Sequence, residues 1–195
     1  MIEPAHDILV QTKGAVYDKS TNGLYNYIMP DEIKNTIRCG KVLYLPPGYD
    51  GDVIIGDIIH FHHNITAPSY SMDNSGEVLG SFEIDRTKGL YHCPATEVFA
   101  FERDGVVKST NNYCFIKPVQ NDHVKEKGGL FTVDKNKEIP YVGILKHGNE
   151  HLKSIGLEDG AVVAFAEWTM YEFPIHGEKL YRMTSDKIIG KVHYE

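Results

Sequence analysis

The sequence predicts an all-β protein. Three observations carry the prediction: short Val, Ile, Tyr and Phe runs that alternate with polar residues, turn-forming Gly, Pro, Asn and Asp at their ends, and no long window with a 3.6-residue apolar stripe. Alternation places every second side chain on one face of a strand, so each run can bury one face and wet the other. In chain order the strands are read at residues 8–12, 40–45, 57–62, 97–102, 113–118, 141–146, 161–166, 179–184 and 188–193. Short strands at this density, separated by turns, indicate small barrels or sandwiches.

The series of elements occurs twice, in residues 6–104 and, in diverged form, in 111–195. An apolar opening strand, HDILVQTK or NYCFIKPV, leads into a polar, Gly-containing segment, KSTNGLYNYIMPDEIKNT or KEKGGLFTVDKNKEIP. A strand into a Gly turn follows, CGKVLYLPPG or YVGILKHG. A Gly-Asp or Asp-Gly step then enters a buried strand, VIIGDIIHFHH or LEDGAVVAFAE. Each half closes with a pair of short strands, GLYHCPATEVFAFERDG or GEKLYRMTSDKIIGKVHYE. Two tandem copies of one small β-barrel are the economical reading, with domains at 1–108 and 109–195 joined by the short polar junction GVVKSTNN. The first copy carries an insertion near 64–88, rich in Ser, Asn, Asp and Gly, expected to be a surface hairpin or loop.

Composition narrows the function. Of 195 residues, 42% are apolar and 24% charged, values of a soluble globular chain with enough apolar surface for a core. Twenty basic residues against 27 acidic ones set the formal charge at −7, which argues against a nucleic-acid backbone or an anionic membrane as partner. The first half carries most of it, with 9 basic and 15 acidic residues in 1–108 against 11 and 12 in 109–195. No stretch approaches the roughly 20 apolar residues of a membrane span, and the opening MIEPAHDILV lacks the pattern of a signal peptide, so a cytoplasmic location is expected. Cys39, Cys93 and Cys114 form no CxxC pair and are expected to be buried thiols.

Catalytic patterns do not occur: the chain has no GxSxG, P-loop, GxGxxG or HExxH, so no enzymatic activity and no cofactor are expected. His60, His62 and His63 raise a metal reading, since imidazoles two apart on a strand share a face. No nearby Asp, Cys or Glu completes a ligand set, and His92-Cys93 could approach only through folding. They are read as polar residues at a barrel mouth or subunit contact, with no metal. Asp50, Asp52 and Asp57 lack the ligand register of a calcium loop and are read as turn residues. Trp168, Met170, Tyr171 and Phe173 are assigned to a core or an interface.

Both halves resemble the GroES-like co-chaperonin family. In the second copy GGLFTVDKNKEIPYVGILKHG is similar to the family's mobile loop and the strand after it, LEDGAVVAF to its Gly-Asp step, and EFPIHGEKLYRMTSDKIIGKV to its closing signature with a Ser-Asp pair. In the first copy YIMPDEIKNTIRCGKVLYLPPG is similar to the loop tripeptide, the Pro-Asp pair and the Gly-Lys-Val strand, although the closing strands lack Ser-Asp. The resemblance implies two barrels with mobile loops, whose apolar tripeptides bind a GroEL-like chaperonin. The anchors would be Leu130, Phe131 and Thr132, with Val133 as a shifted third position because Thr132 is not aliphatic, and Tyr27, Ile28 and Met29 in the first copy. It also implies a homo-oligomeric ring joined through edge strands, Ile8, Leu9 and Val10 against Ile188, Ile189 and Val192, and non-native proteins as clients. The run HFHHN gives the chain a phage-like look, which would place it in a host cytoplasm. The alternative is a phage virion or assembly protein that keeps the barrel and has lost the chaperonin anchor.

Overall fold

A computed structural model of the chain describes residues 3–13, 37–66, 69–70, 77–78, 82–121, 124–127, 130–133, 137–167 and 169–193. The chain divides into two compact units, Met1–Val107 and Lys108–Glu195. Among the described residues almost all regular structure is antiparallel β, as the alternation requires, with one short α-helix at Glu150–Ser154 and four single-turn 3-10 helices.

The first unit holds β1 (Ile8–Gln11), β2 (Cys39–Tyr44), β3 (Ile58–Phe61), β4 (Ser69–Tyr70), β5 (Glu77–Val78), β6 (Glu83–Asp85), β7 (Leu90–Cys93), β8 (Val98–Arg103) and β9 (Val106–Ser109), the last running into the second unit. Seven of these form one sheet in the order β6-β7-β1-β2-β3-β8-β9, while β4 and β5 pair separately. Its core joins Ile8, Val10, Val42, Ile59, Phe61, Tyr91, Val98 and Phe101, all nearly inaccessible to solvent. Within the expected insertion, β4 and β5 make a short hairpin register, Ser69 opposite Val78, and β6 joins the main sheet beside β7.

The second unit holds β10 (Tyr113–Asn121), β11 (Val124–Lys127), β12 (Leu130–Val133), β13 (Lys137–His147), β14 (Val162–Phe165), β15 (Tyr171–Glu172), β16 (Tyr181–Thr184) and β17 (Ile188–Lys191). Six strands form a sheet in the order β15-β16-β10-β13-β14-β17, and β11 and β12 pair apart from it. Cys114, Ile116, Leu145, Val163, Phe165 and Met183 make its core, with Leu152 from the helix closing one end. Phe115 and Phe173 meet edge to face at 5.9 Å and are fully buried.

The two sheets follow one path: β6-β7-β1-β2-β3-β8 corresponds strand for strand to β15-β16-β10-β13-β14-β17. Individual hydrogen bonds repeat with it. Gly56 donates to the Val42 carbonyl as Gly160 does to that of Leu145, and His62 to that of Glu97 as Ala166 does to that of Lys187. Both glycines sit at positive φ, 100° and 92°, where a side chain would be strained. The inverted Asp-Gly order thus leaves the glycine in place and moves the aspartate. Asp57 accepts from Ile54 N–H and Arg103, whereas Asp159 accepts from Gly148 N–H at 2.7 Å. Ser185 bonds Asn112 through side chain and backbone, which ties the closing turn to the start of β10. The first unit has Ala95–Glu97 there instead.

Two expectations are corrected by packing. The helix went unread because its five residues bury only Leu152, too few for a periodic stripe; Asn149 caps it by accepting from Leu152 N–H at 3.0 Å. Cys93 and Cys114 are buried as expected, and burial pushes the Cys114 thiol up to about 12, but Cys39 at the start of β2 is exposed.

Candidate functional site

The anchor positions of the second copy fall on a hairpin. Leu130, Phe131, Thr132 and Val133 are β12, paired with β11 in the register Val124–Val133, Lys125–Thr132, Glu126–Phe131 and Lys127–Leu130. A segment read as a loop is therefore a two-stranded arm. The physical reason is legible in KEKGGLFTV: two glycines lie between paired runs, and Phe131, Thr132 and Val133 are residues that favour strands. The arm lies between the two strands that reach furthest out of the main sheet, β10 ending at Asn121 opposite Lys137 of β13. Tyr27, Ile28 and Met29 lie outside the described residues, as does Trp168.

At the arm's root the β10–β13 ladder is interrupted. Pro118 pairs with Gly143, but the next pair is Gln120 with Glu138, so residues 139–142 form a bulge in the β10–β13 register, although Val142 still pairs with Ala164 of β14. Tyr141 in this bulge has φ of 59°, uncommon for a bulky side chain. At Gly143 a Cβ would lie 2.3 Å from Ile116 Cγ2 and 2.8 Å from the Lys117 carbonyl oxygen, so only glycine lets the strands approach here. Glu138 accepts from Tyr181 Oη at 2.5 Å and from Lys179 Nζ at 2.6 Å. Burial raises the Glu138 pKa, but the bonds from Lys179 and Tyr181 outweigh it and hold the carboxyl below its ordinary value.

The edge-strand expectation divides. Ile188–Lys191 ends its sheet, and no strand among the described residues pairs with its outer side. Ile189 is 73% exposed there, Ile188 is half-buried against the core, and Val192 donates its N–H to the Val162 carbonyl. Ile8, Leu9 and Val10 are not at an edge. β1 is bonded on one side to β7 and on the other to β2. Three consecutive residues buried to 2% exposure or less mark a strand covered on both faces, which the short apolar run could not distinguish from an edge.

The histidines separate by environment. His60 is buried on β3 opposite Cys39 and Ala100, which corrects its placement at a barrel mouth. His62 lies past the strand end and caps the turn His63–Ile65, its Nδ1 accepting from Asn64 N–H at 3.2 Å. His92 Nδ1 bonds Asp7 at 2.7 Å. Burial, with His62 and Arg38 nearby, holds the His63 pKa down to about 4. Its folded pKa lies below the unfolded value of about 6.5, so its contribution to stability is present above pH 6.5 and is lost as pH falls toward 4. Denaturant midpoints at pH 7.5, 6 and 5 are expected to decline, and His63→Gln to decline less steeply. His147, lowered chiefly by burial, keeps a residual slope in the variant. Of the aromatic run, Phe173 is core and Met170 is 42% exposed.

No protein-family model matches the chain. Among curated proteins it is similar to the co-chaperonin GroES of Rickettsia typhi (strain ATCC VR-144 / Wilmington) and of Rickettsia prowazekii (strain Madrid E), each 35% identical over 93 residues, covering 44% of this chain and 97% of the relative. The co-chaperonin GroES of Rickettsia canadensis (strain McKiel) is 29% identical over 93 residues with the same coverage. Among the described residues no helix is long and apolar enough to cross a membrane.

Proposed function

We propose, on the premise that the chain belongs to the GroES co-chaperonin family, that it is a tandem co-chaperonin that caps a GroEL-like chaperonin ring and assists client folding, without a reaction of its own. The observation that carries the proposal is similarity along 97% of the length of complete GroES chains. The matching strand order of the two sheets supports two copies of that unit in one chain. The capture surface would be the β11–β12 arm, with Leu130, Phe131 and either Thr132 or Val133 entering apolar sites on the chaperonin. Tyr27, Ile28 and Met29 would serve the first copy. Burying two large apolar side chains contributes on the order of 3 to 6 kcal/mol before the arm is ordered, so one arm binds weakly. A ring of arms on a ring of sites makes a tight yet releasable cap. The cytoplasm, of a phage host if the chain is phage-encoded, is the compartment where such a partner and non-native clients meet.

Native mass measurement tests this, first on the protein alone and then with a chaperonin and ATP. A closed ring that adds to the chaperonin only with nucleotide is expected; a species indifferent to the chaperonin would overturn it. Assembly would use β17, whose outer edge and Ile189 face solvent. Ile189→Asp is therefore expected to leave thermal unfolding of the isolated chain within about 2 °C of the parent, as an exposed position should, while native mass shows the ring lost. A large fall in melting temperature would place Ile189 in a fold contact instead.

A further inference from the structure

We infer that Glu138 and Tyr141 are positioning residues, a polar clamp that fixes the direction of the β11–β12 arm for capture of its partner. The capture half of this inference rests on the co-chaperonin reading; the clamp half does not.

Backbone pairing between sheet and arm root is irregular. Between the pairs Pro118–Gly143 and Gln120–Glu138 the β10–β13 register slips, four residues of β13 standing against Val119 alone, before pairing resumes at Gln120–Glu138 and Asn121–Lys137. An interrupted ribbon bends easily there, because the bulged residues give up regular cross-strand bonds. Side chains bridge the interruption on both sides. On the arm side of the bulge, the two carboxylate oxygens of Glu138 take one bond each, from Tyr181 Oη at 2.5 Å and from Lys179 Nζ at 2.6 Å. Both donors belong to the β16 side of the sheet, and Lys179 lies 3.7 Å from Glu172 of β15 as well. Inside the bulge, Tyr141 Oη donates to Glu167 Oε1 at 2.8 Å, just beyond β14, and its ring stands edge to face with buried Phe165 at 6.5 Å.

The two ties therefore pull toward opposite sides of the six-stranded order, β16 lying on one side of β13 beyond β10 and β14 on the other. Two anchors on opposite sides restrain a direction, which one anchor cannot do. The left-handed backbone of Tyr141 fits this account: the conformation is unfavourable for a bulky residue, and it is held while aiming the phenol at Glu167. An arm already aimed loses less orientational freedom when its partner binds, so the clamp acts through pre-organisation and not through a contact of its own.

The test uses full-length Glu138→Gln, Tyr181→Phe and Tyr141→Phe, with Glu138→Asp as the conservative variant, and reads amide hydrogen exchange segment by segment. Exchange in 124–133 is expected to accelerate about 3- to 10-fold in each of the three variants, with 162–165 and 114–116 unchanged, and to return partly toward the parent in Glu138→Asp. Uniform acceleration across both units, or no change in the arm, would overturn the clamp. A parallel titration with chaperonin and nucleotide is expected to show about 3- to 10-fold weaker capture. Faster arm exchange with undiminished capture would overturn the capture half alone. A parent protein that fails to bind any chaperonin would instead sink the co-chaperonin reading, leaving the clamp to be judged by exchange.

Discussion

Phe131→Ser is expected to abolish the proposed capture of a chaperonin and to leave the fold intact. Phe131 belongs to β12, which among the described residues pairs with β11 and is not a strand of the six-stranded sheet. On the reading that Phe131 is a capture residue and not a core residue, the melting temperature is expected to stay within about 2 °C of the parent. Binding responds very differently. Losing one large apolar anchor removes about 1.5 to 3 kcal/mol per arm, roughly 10- to 150-fold in affinity. If the arms act as a ring, every arm loses that amount, and the cap is expected not to form at working concentrations. Co-migration with a chaperonin in the presence of ATP checks the loss, and a thermal scan checks the fold. A fall of ten degrees or so would mean that Phe131 is a core residue and that the arm is not the capture surface.

Phe165→Ala reverses the pattern in the same unit. Phe165 is 2% exposed on β14, packed with Cys114, Ile116, Leu145, Val163 and Met183. Truncating a buried Phe costs about 3 to 5 kcal/mol, from lost transfer free energy and from the cavity left behind. That is a large share of the total stability of a domain, about 5 to 15 kcal/mol. A unit of this size is expected to melt on the order of 20 °C lower, with capture lost only because the arm's support unfolds. Calorimetry of the variant beside Phe131→Ser separates the two roles. Similar melting temperatures for the pair would contradict the core assigned here.

Much of this molecule was legible before folding. The strand readings at 8–12, 40–45, 57–62, 97–102, 113–118, 141–146, 161–166, 179–184 and 188–193 each overlap a strand, because short β-branched and aromatic runs bounded by turn residues favour extended backbone whether one face is buried or both. The glycines of the two Gly-Asp steps were readable for a similar reason, since Gly56 and Gly160 occupy positive φ that other residues adopt at a penalty. The helix at Glu150–Ser154 and the short strands β6, β9 and β15 escaped, because two to five residues are too few to show a period. KEKGGLFTV resembles a mobile loop, although its two glycines between strand-favouring residues also suit the β11–β12 hairpin.

The sequence by itself determined the all-β class and the order of elements in each half, since these depend on periodicity, turn chemistry and residue type within short windows; the anchor tripeptide came only from the resemblance to the co-chaperonin family. Only the tertiary structure decided which strands are edges. Ile8–Gln11 lies between two partners and Ile188–Lys191 at the margin, a distinction set by residues some 30 to 80 positions away along the chain. It also decided how the arm is held. Glu138, Tyr141, Glu167, Lys179 and Tyr181 carry no local signal, and they meet because β16 and the end of β14 reach the bulge from opposite sides of the sheet. A polar side chain's partner is a property of the fold that delivers it, and no window of sequence around Glu138 contains Tyr181.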